Sequence, residues 1–360
     1  MMIRWIALQR SSGASRPYLQ AARRARRSRC RLSRPRARDD RASNSSAAAR
    51  RSGRPFPHSV VKGHAMSASP RLSVCELSLP DTTFEQDLDL ITESAATGVA
   101  IAEFKLRDGE EAAQAAALKA SGLAATICIP ANIAPLPLLP EYIYPGPTDP
   151  DLRLDAMLAS IRRLAPFGPD CIAVITGSNA GYAVDDARKI AVEALREATK
   201  LAVSLGTRLA LETNRNEGID FSFLRSLPDA IDFLDEVGEP GLGLLYDFYH
   251  LWDEKDILAD TERFASRIFG VQYNDWRDPP RCAADRLLPG DGIMDIPALL
   301  AALERGGFDG WYDFEIFSDD GRWGTELPDS LWKLPYDKLI ERAHSGLLAA
   351  WNVRHSKMDS

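Results

Sequence analysis

Arg208-Leu-Ala-Leu-Glu212-Thr-Asn214-Arg215, then the stretch Pro228–Val237, then Gly243-Leu-Leu-Tyr-Asp247-Phe-Tyr-His250 set a strand, a helix and a second strand in succession. The two apolar runs are short and continuous, as expected for strands buried on both faces of a parallel sheet, and the segment between them has helical period. Each strand gives way to an acid, Glu212 in one and Asp247 in the other.

Outward from this unit the same alternation repeats. Strands are predicted at Leu72–Leu79, Val99–Phe104, Ala124–Pro130, Cys171–Thr176, Arg208–Thr213, Gly243–Asp247, Ile268–Asn274 and Trp311–Ile316. Helices are predicted at Phe84–Ala96, Glu110–Ala120, Leu152–Leu164, Asp185–Leu205, Pro228–Val237, Ile257–Ala265, Pro297–Glu304 and Tyr336–Trp351. Strand and helix alternating eight times in an α/β chain predict a single (β/α)8 barrel, here over residues 67–356. Gly98, Gly122, Gly206 and Gly310 fall between helix and strand, where a glycine of positive φ commonly ends a helix. An open doubly wound sheet usually carries a glycine-rich phosphate loop after its first strand, and Leu79-Pro-Asp-Thr-Thr-Phe84 has no glycine.

Charge divides the chain. The 360 residues have a formal net charge of -7, but residues 1–66 hold sixteen Arg and Lys62 against Asp39 and Asp40, a net of +15 that leaves -22 on residues 67–360. The leader is rich in Arg, Ser and Ala without a helical apolar face, the composition of a disordered segment. Three readings fit it: an organelle transit peptide, a basic nucleic-acid arm, or a start placed too far upstream of a body that begins at Met66. The acidic body argues against binding a phosphate backbone, and no apolar run approaches the ~20 residues that span a bilayer. Five cysteines (Cys30, Cys75, Cys128, Cys171, Cys282) without a C-x-x-C pair suggest buried thiols in a reducing, cytoplasmic setting.

Barrel chemistry sits at the C-terminal ends of the strands. The fifth to eighth strands end in Glu212, Asp247, Gln272 and Glu315, one oxygen-bearing side chain each. Three carboxylates converging in a partly dry site repel one another unless a cation joins them. An all-oxygen set suits a divalent metal such as Mn, Mg or Co; taken singly, each acid reads equally well as a solvated strand end. Only His250 of the five histidines is placed to reach this rim, so a clustered-histidine zinc site is excluded, and no G-x-S-x-G elbow occurs. His250 is either an acid/base or a packed ring. Glu103 and Asn179 are candidates for binding substrate hydroxyls, or else loop residues. Arg286 offers a planar fork of donors, with a surface ion pair as the alternative. Trp276 and Trp311 wall the pocket or pack in the core.

At these residues the chain resembles the xylose-isomerase-like barrel superfamily, the sugar phosphate isomerase/epimerase group, over roughly residues 70–350. The resemblance rests on Leu209-Ala-Leu-Glu212, Tyr246-Asp247-Phe-Tyr-His250, Val271-Gln272-Tyr-Asn-Asp275, Arg286-Leu-Leu-Pro289-Gly290-Asp-Gly292 and Phe314-Glu315. It implies a metal held by Glu212, Asp247, Gln272 and Glu315, substrate contact by Arg286, and proton transfer next to a carbonyl through Glu212 and Glu315. Ketose 3-epimerases of this group carry His where this chain has Gln272. Glutamine there is similar to the metal-dependent 3-dehydroshikimate dehydratases, in which reading His250 is the acid/base. The implied substrate is a small polyhydroxy ketone, with no nucleic-acid or membrane partner and homo-oligomerisation left open; a non-catalytic sugar-binding barrel is the further alternative.

Overall fold

A computed structural model describes residues 69–356, apart from 142–144, 180 and 216–218. The basic leader, Cys30 and the three readings of residues 1–66 lie outside the described residues.

The strands are β1 (Arg71–Cys75), β2 (Gly98–Ala100), β3 (Ala124–Ala125), β4 (Ile127–Cys128), β5 (Cys171–Val174), β6 (Leu209–Glu212), β7 (Leu242–Asp247), β8 (Ile268–Tyr273) and β11 (Trp311–Phe314), all parallel in one sheet. The sheet runs β3-β2-β1-β11-β8-β7-β6-β5-β4. Its two edges are halves of one stave. Thr126 lies between them, donates its N–H to Val99 O (2.9 Å) and accepts from Cys171 N–H (3.1 Å). The ring is therefore closed, with eight staves and no free edge, as the alternation predicts.

Helices α1 (Phe84–Thr92), α2 (Glu111–Ser121), α3 (Pro150–Leu164), α4 (Val184–Ser204), α5 (Leu227–Val237), α7 (Ile257–Phe264), α8 (Ile296–Arg305) and α9 (Tyr336–Val353) surround it, one per stave. Their starts are chemically marked. Thr83 and Gln86 form a reciprocal capping box on α1, and Asp149, Ser226 and Asp295 cap α3, α5 and α8. Among the described residues no helix is long and apolar enough to cross a membrane.

Strand alternation divides the core in two. Val74, Val99, Ile172, Leu211, Tyr246, Val271 and Phe314 face the helices, whereas Cys75, Ala100, Ile127, Cys171, Ala173, Ala210 and Leu245 fill the barrel. Cys75, Cys128 and Cys171 are buried free thiols, as expected.

Two glycines depart from the helix-ending role. Gly122 and Gly206 do have positive φ, at 79° and 86°. Gly98 instead opens β2 at the closing seam, where a Cβ would lie 2.4 Å from Thr126 Cγ2 and 2.9 Å from the Trp311 ring; Gly310 similarly faces the Phe308 ring. Neither has the positive φ of a helix end, and at Gly98 it is the close approach of Thr126 and Trp311 that calls for glycine.

Three short elements were not anticipated. The turn α6 (Phe248–Leu251) follows β7 directly, and β9 (Asp275–Trp276) pairs antiparallel with β10 (Arg286–Leu287) beyond the end of β8.

Candidate metal centre

Four neighbouring staves, β6, β7, β8 and β11, carry Glu212, Asp247, Gln272 and Glu315 to one rim. Asp247 and Gln272 are opposite each other in the β7–β8 register. Period two then puts Asn274 on the same side as Gln272, and its Nδ2 donates to Asp247 Oδ1 at 3.1 Å. That Oδ1 also accepts the Tyr249 N–H at 2.9 Å, which starts α6 and turns His250 back over the rim. His250 Nε2 comes to lie 3.8 Å from Glu212 Oε1 and 3.7 Å from Asp247 Oδ2.

Arg286 crosses the opening. Its Nη1 donates to Asp247 Oδ2 (3.1 Å) and to Glu315 Oε2 (2.8 Å), while the guanidinium stacks between the rings of Tyr249 and Phe317, 4.4 and 4.6 Å from their centres. Gln272 Nε2 donates to Glu315 Oε1 at 2.8 Å, and the Cys75 thiol points to the same oxygen at 3.7 Å.

Burial dominates the electrostatics. It raises Glu212 well above the usual carboxylate range, with Glu315 and Asp247 adding repulsion. It also raises Asp247, against the pull of Arg286, and lifts Glu315 to about 7. His250 is lowered well below its usual value by burial and by Arg286 and Arg215, so the ring is neutral. One arginine does not neutralise three acids, and the site is short of positive charge.

The donor set fits a divalent cation. One ligand atom from each of Glu212, Asp247 and His250 lies within 4.8 Å of the others. Gln272 Oε1 is buried without a hydrogen-bond partner, an unused oxygen where a hard ion needs one. His250 lies among these candidate donors but is chemically less suited to be a ligand. Its Nδ1 accepts the Arg215 N–H at 3.2 Å, so in the neutral ring Nε2 carries the proton and has no lone pair to give. Glu212, Asp247, Gln272 and Glu315 are then the side chains whose oxygens could hold such an ion, and His250 presents an N–H to the same space.

Of the other sequence candidates, Glu103 and Trp311 are engaged away from this rim. Glu103 faces the helix layer: its carboxylate accepts the Ala131 N–H at 2.6 Å and pairs with Arg163 on α3 at 3.6 Å, so it is a fastening between staves. Asn179 is half-buried in the loop after β5, the stave next to β6, and its carbonyl accepts the Tyr182 N–H. Trp311 is at the opposite end of the barrel. It opens β11 beneath Arg71, whose guanidinium stacks 4.0 Å over its ring, and its indole N–H donates to Asp170. A cleft of about 390 Å³ opens there, and Glu212, Asp247, Gln272 and Glu315 are not among its lining residues. Trp276 does wall the rim, stacking on Tyr249 at 4.8 Å and under Arg215 at 4.5 Å. Sequence reading missed Asn274, Tyr249 and Phe317; only Asn274 had a signal, the strand period.

The match to known proteins agrees with this architecture. A family model described as xylose isomerase-like TIM barrel covers residues 88–336. The inosose isomerase of Bacillus velezensis is 28% identical over 137 residues, 37% of this chain and 48% of that protein. The D-psicose 3-epimerase of Enterocloster bolteae is 30% identical over 158 residues, 43% of this chain and 48% of that one. The chain thus spans about half the length of these relatives. The crystal structure of the IOLI protein with a binding zinc atom superposes with a TM-score of 0.65 over 79% of this chain and 99% of that one, at 18% identity, a likeness of fold. With most of its length matched by that one model, the chain belongs to the xylose isomerase-like TIM barrel family.

Proposed function

We propose that this protein is a divalent-metal-dependent isomerase or epimerase of a small polyhydroxy ketone, working by proton transfer at the carbon next to the carbonyl. The observation that carries it is the arc of Glu212, Asp247, Gln272 and Glu315 on four adjacent staves, with a buried, partnerless Gln272 oxygen inside it. A bound divalent ion would polarise a ketone oxygen and its neighbouring hydroxyl as a Lewis acid.

The chain's own groups supply the rest. Glu212 and Glu315 occupy the two outer staves of the arc and so flank whatever lies between them. One takes the proton and the other returns it. Return to the opposite face of the same carbon gives an epimer, and return to the neighbouring carbon gives an isomer. Arg286, held flat between Tyr249 and Phe317, keeps its positive charge beside the oxygen that becomes negative. The names of the inosose isomerase and psicose epimerase relatives support a neutral polyol ketone as substrate.

A second reading, a dehydratase, is favoured by one observation: His250 presents Nε2–H, a proton ready for a departing hydroxyl. The test separates both. Elemental analysis of untagged protein should find about one Mn, Co, Mg or Zn per chain, or occupancy restored by adding Mn²⁺ or Co²⁺. Ketohexoses, inososes and 3-dehydroshikimate are then incubated in D₂O. A product of unchanged formula with one deuterium on carbon supports the isomerase/epimerase, and loss of water selects the dehydratase. Metal uptake without turnover would leave a sugar-binding barrel, and protein that takes up no metal would remove the proposal.

A further inference from the structure

Asp275 is wholly buried and belongs to none of the assigned site residues, yet its carboxylate receives four backbone N–H groups. Oδ1 accepts from Trp276 (2.8 Å) and Met294 (3.1 Å), and Oδ2 from Gly290 (2.9 Å) and Gly292 (3.1 Å). Three of the four come from one loop, Leu288–Met294, and the loop is shaped to deliver them. Gly290 has φ of 91°, open to glycine, and a Cβ on Gly292 would lie 2.4 Å from both Asp275 Oδ1 and Trp276 O. Ile293 N–H donates back to Trp276 O at 3.1 Å.

This loop is the continuation of Arg286. In the β9–β10 ladder Leu287 is opposite Asp275 and Arg286 is opposite Trp276, and the Arg286 N–H donates to Phe317 O at 3.0 Å. The main chain of Arg286 is therefore held on one side by the Asp275–Trp276 strand and on the other by the segment that supplies the Phe317 ring. Without the anchor beyond Leu287, the two-residue β10 has little to fix its register, since a two-stranded pair alone is marginal in water.

We propose that Asp275 is a positioning residue that acts through Arg286: by gathering the Leu288–Met294 loop it sets the guanidinium against Asp247 and Glu315. It touches neither metal nor substrate. The inference rests on the role given to Arg286 above, but its structural half stands apart from any activity.

The experiment is mass-spectrometric mapping of arginine modification by phenylglyoxal on the native full chain. Arg286 is 4% exposed, and Arg354 at 9%, paired with Glu304 in the last turn of α8, serves as control. In Asp275→Asn, whose amide would set N–H groups against N–H groups, Arg286 should label at least fivefold faster than in wild type with Arg354 unchanged. Gly292→Ala, which keeps the carboxylate but displaces the loop, should expose Arg286 in the same way and covers the case in which the first variant does not fold. With a turned-over ketone in hand, Asp275→Asn should lower kcat at least tenfold in wild type and less than twofold in an Arg286→Lys background. Arg286 staying protected in every variant that folds, Arg354 labelling in parallel, or equal kcat losses in both backgrounds would overturn the proposal. A wild type without turnover or metal would instead overturn the function, leaving the labelling result to decide the role of Asp275.

Discussion

Two side chains at the rim invite opposite tests. Glu315 ends an outer stave of the arc, and its carboxylate is held by Gln272 and Arg286. Glu315→Gln removes both a charge and a base, and turnover should fall by about 10²–10⁴ or more, the usual contribution of a proton-transfer group. Deuterium incorporation from D₂O measures it, and retention of substantial activity would refute the assigned role. His250 is different because its Nδ1 is already occupied by the Arg215 N–H. His250→Asn should leave Co²⁺ affinity within about twofold of wild type, whereas loss of a true ligand or its outer partner costs on the order of 10–100-fold. Turnover should nonetheless drop, and calorimetric titration beside the activity assay distinguishes the outcomes. A tenfold or greater loss of metal affinity would make His250 a ligand and Arg215 the residue that moves.

At the scale of the element, the closing seam is the most exacting place in the barrel. Thr126 joins the two ends of the sheet, its hydroxyl pairs with Ser73 at 2.7 Å, and Gly98 leaves just enough room beside it. Gly98→Ala pushes a methyl into Thr126 and the Trp311 ring. Overpacking of this kind costs about 1–3 kcal/mol, which for a domain of this size lowers the melting temperature by roughly 2–10 °C. Scanning calorimetry reads the shift, and an unchanged or raised melting temperature would show that the seam yields. The strands and helices themselves were legible from residue order, since period two and period 3.6 are local properties. Gly98 was misread for the same reason: next to a helix it resembles a helix end, and the ring it faces comes from residue 311, at the far end of the chain. The β9–β10 pair left no periodic trace because two residues per strand are too few to show one.

For the whole molecule, the surplus of buried acid couples folding to pH. Glu212 and Glu315 have raised pKa values, so the folded chain keeps protons that the unfolded chain has already released above about pH 4.5. Stability therefore falls as pH rises through the folded pKa values. His250 and His344 act in the opposite direction, being neutral when buried, but only below about pH 6.5, where the unfolded chain charges them. Metal-stripped protein should then melt at a lower temperature at pH 8.5 than at pH 6.5. An ion that binds the folded state alone should raise the melting temperature, and by more at the higher pH, where no proton competes for the carboxylates. Scanning fluorimetry with and without Mn²⁺ checks both signs, and Glu212→Gln should flatten the pH slope. A stripped protein that gains stability between these pH values would contradict the burial of unpaired acid at the rim.

Residue order alone determined the barrel and the four strand-end oxygens, because strand burial and helix period are written within ten or twenty neighbouring residues and a parallel ring sends every strand end to the same face. What each polar group does was decided by tertiary structure. Glu103 follows β2 and Glu212 ends β6, yet one is taken by Ala131 and Arg163 and the other is left beside Asp247. The proton on His250, the clamp on Arg286 and the anchor at Asp275 likewise depend on partners 15 to 39 residues away. A side chain's chemistry in a dry interior is set by the few atoms that replace its water, and those atoms are supplied by folding, not by sequence neighbours.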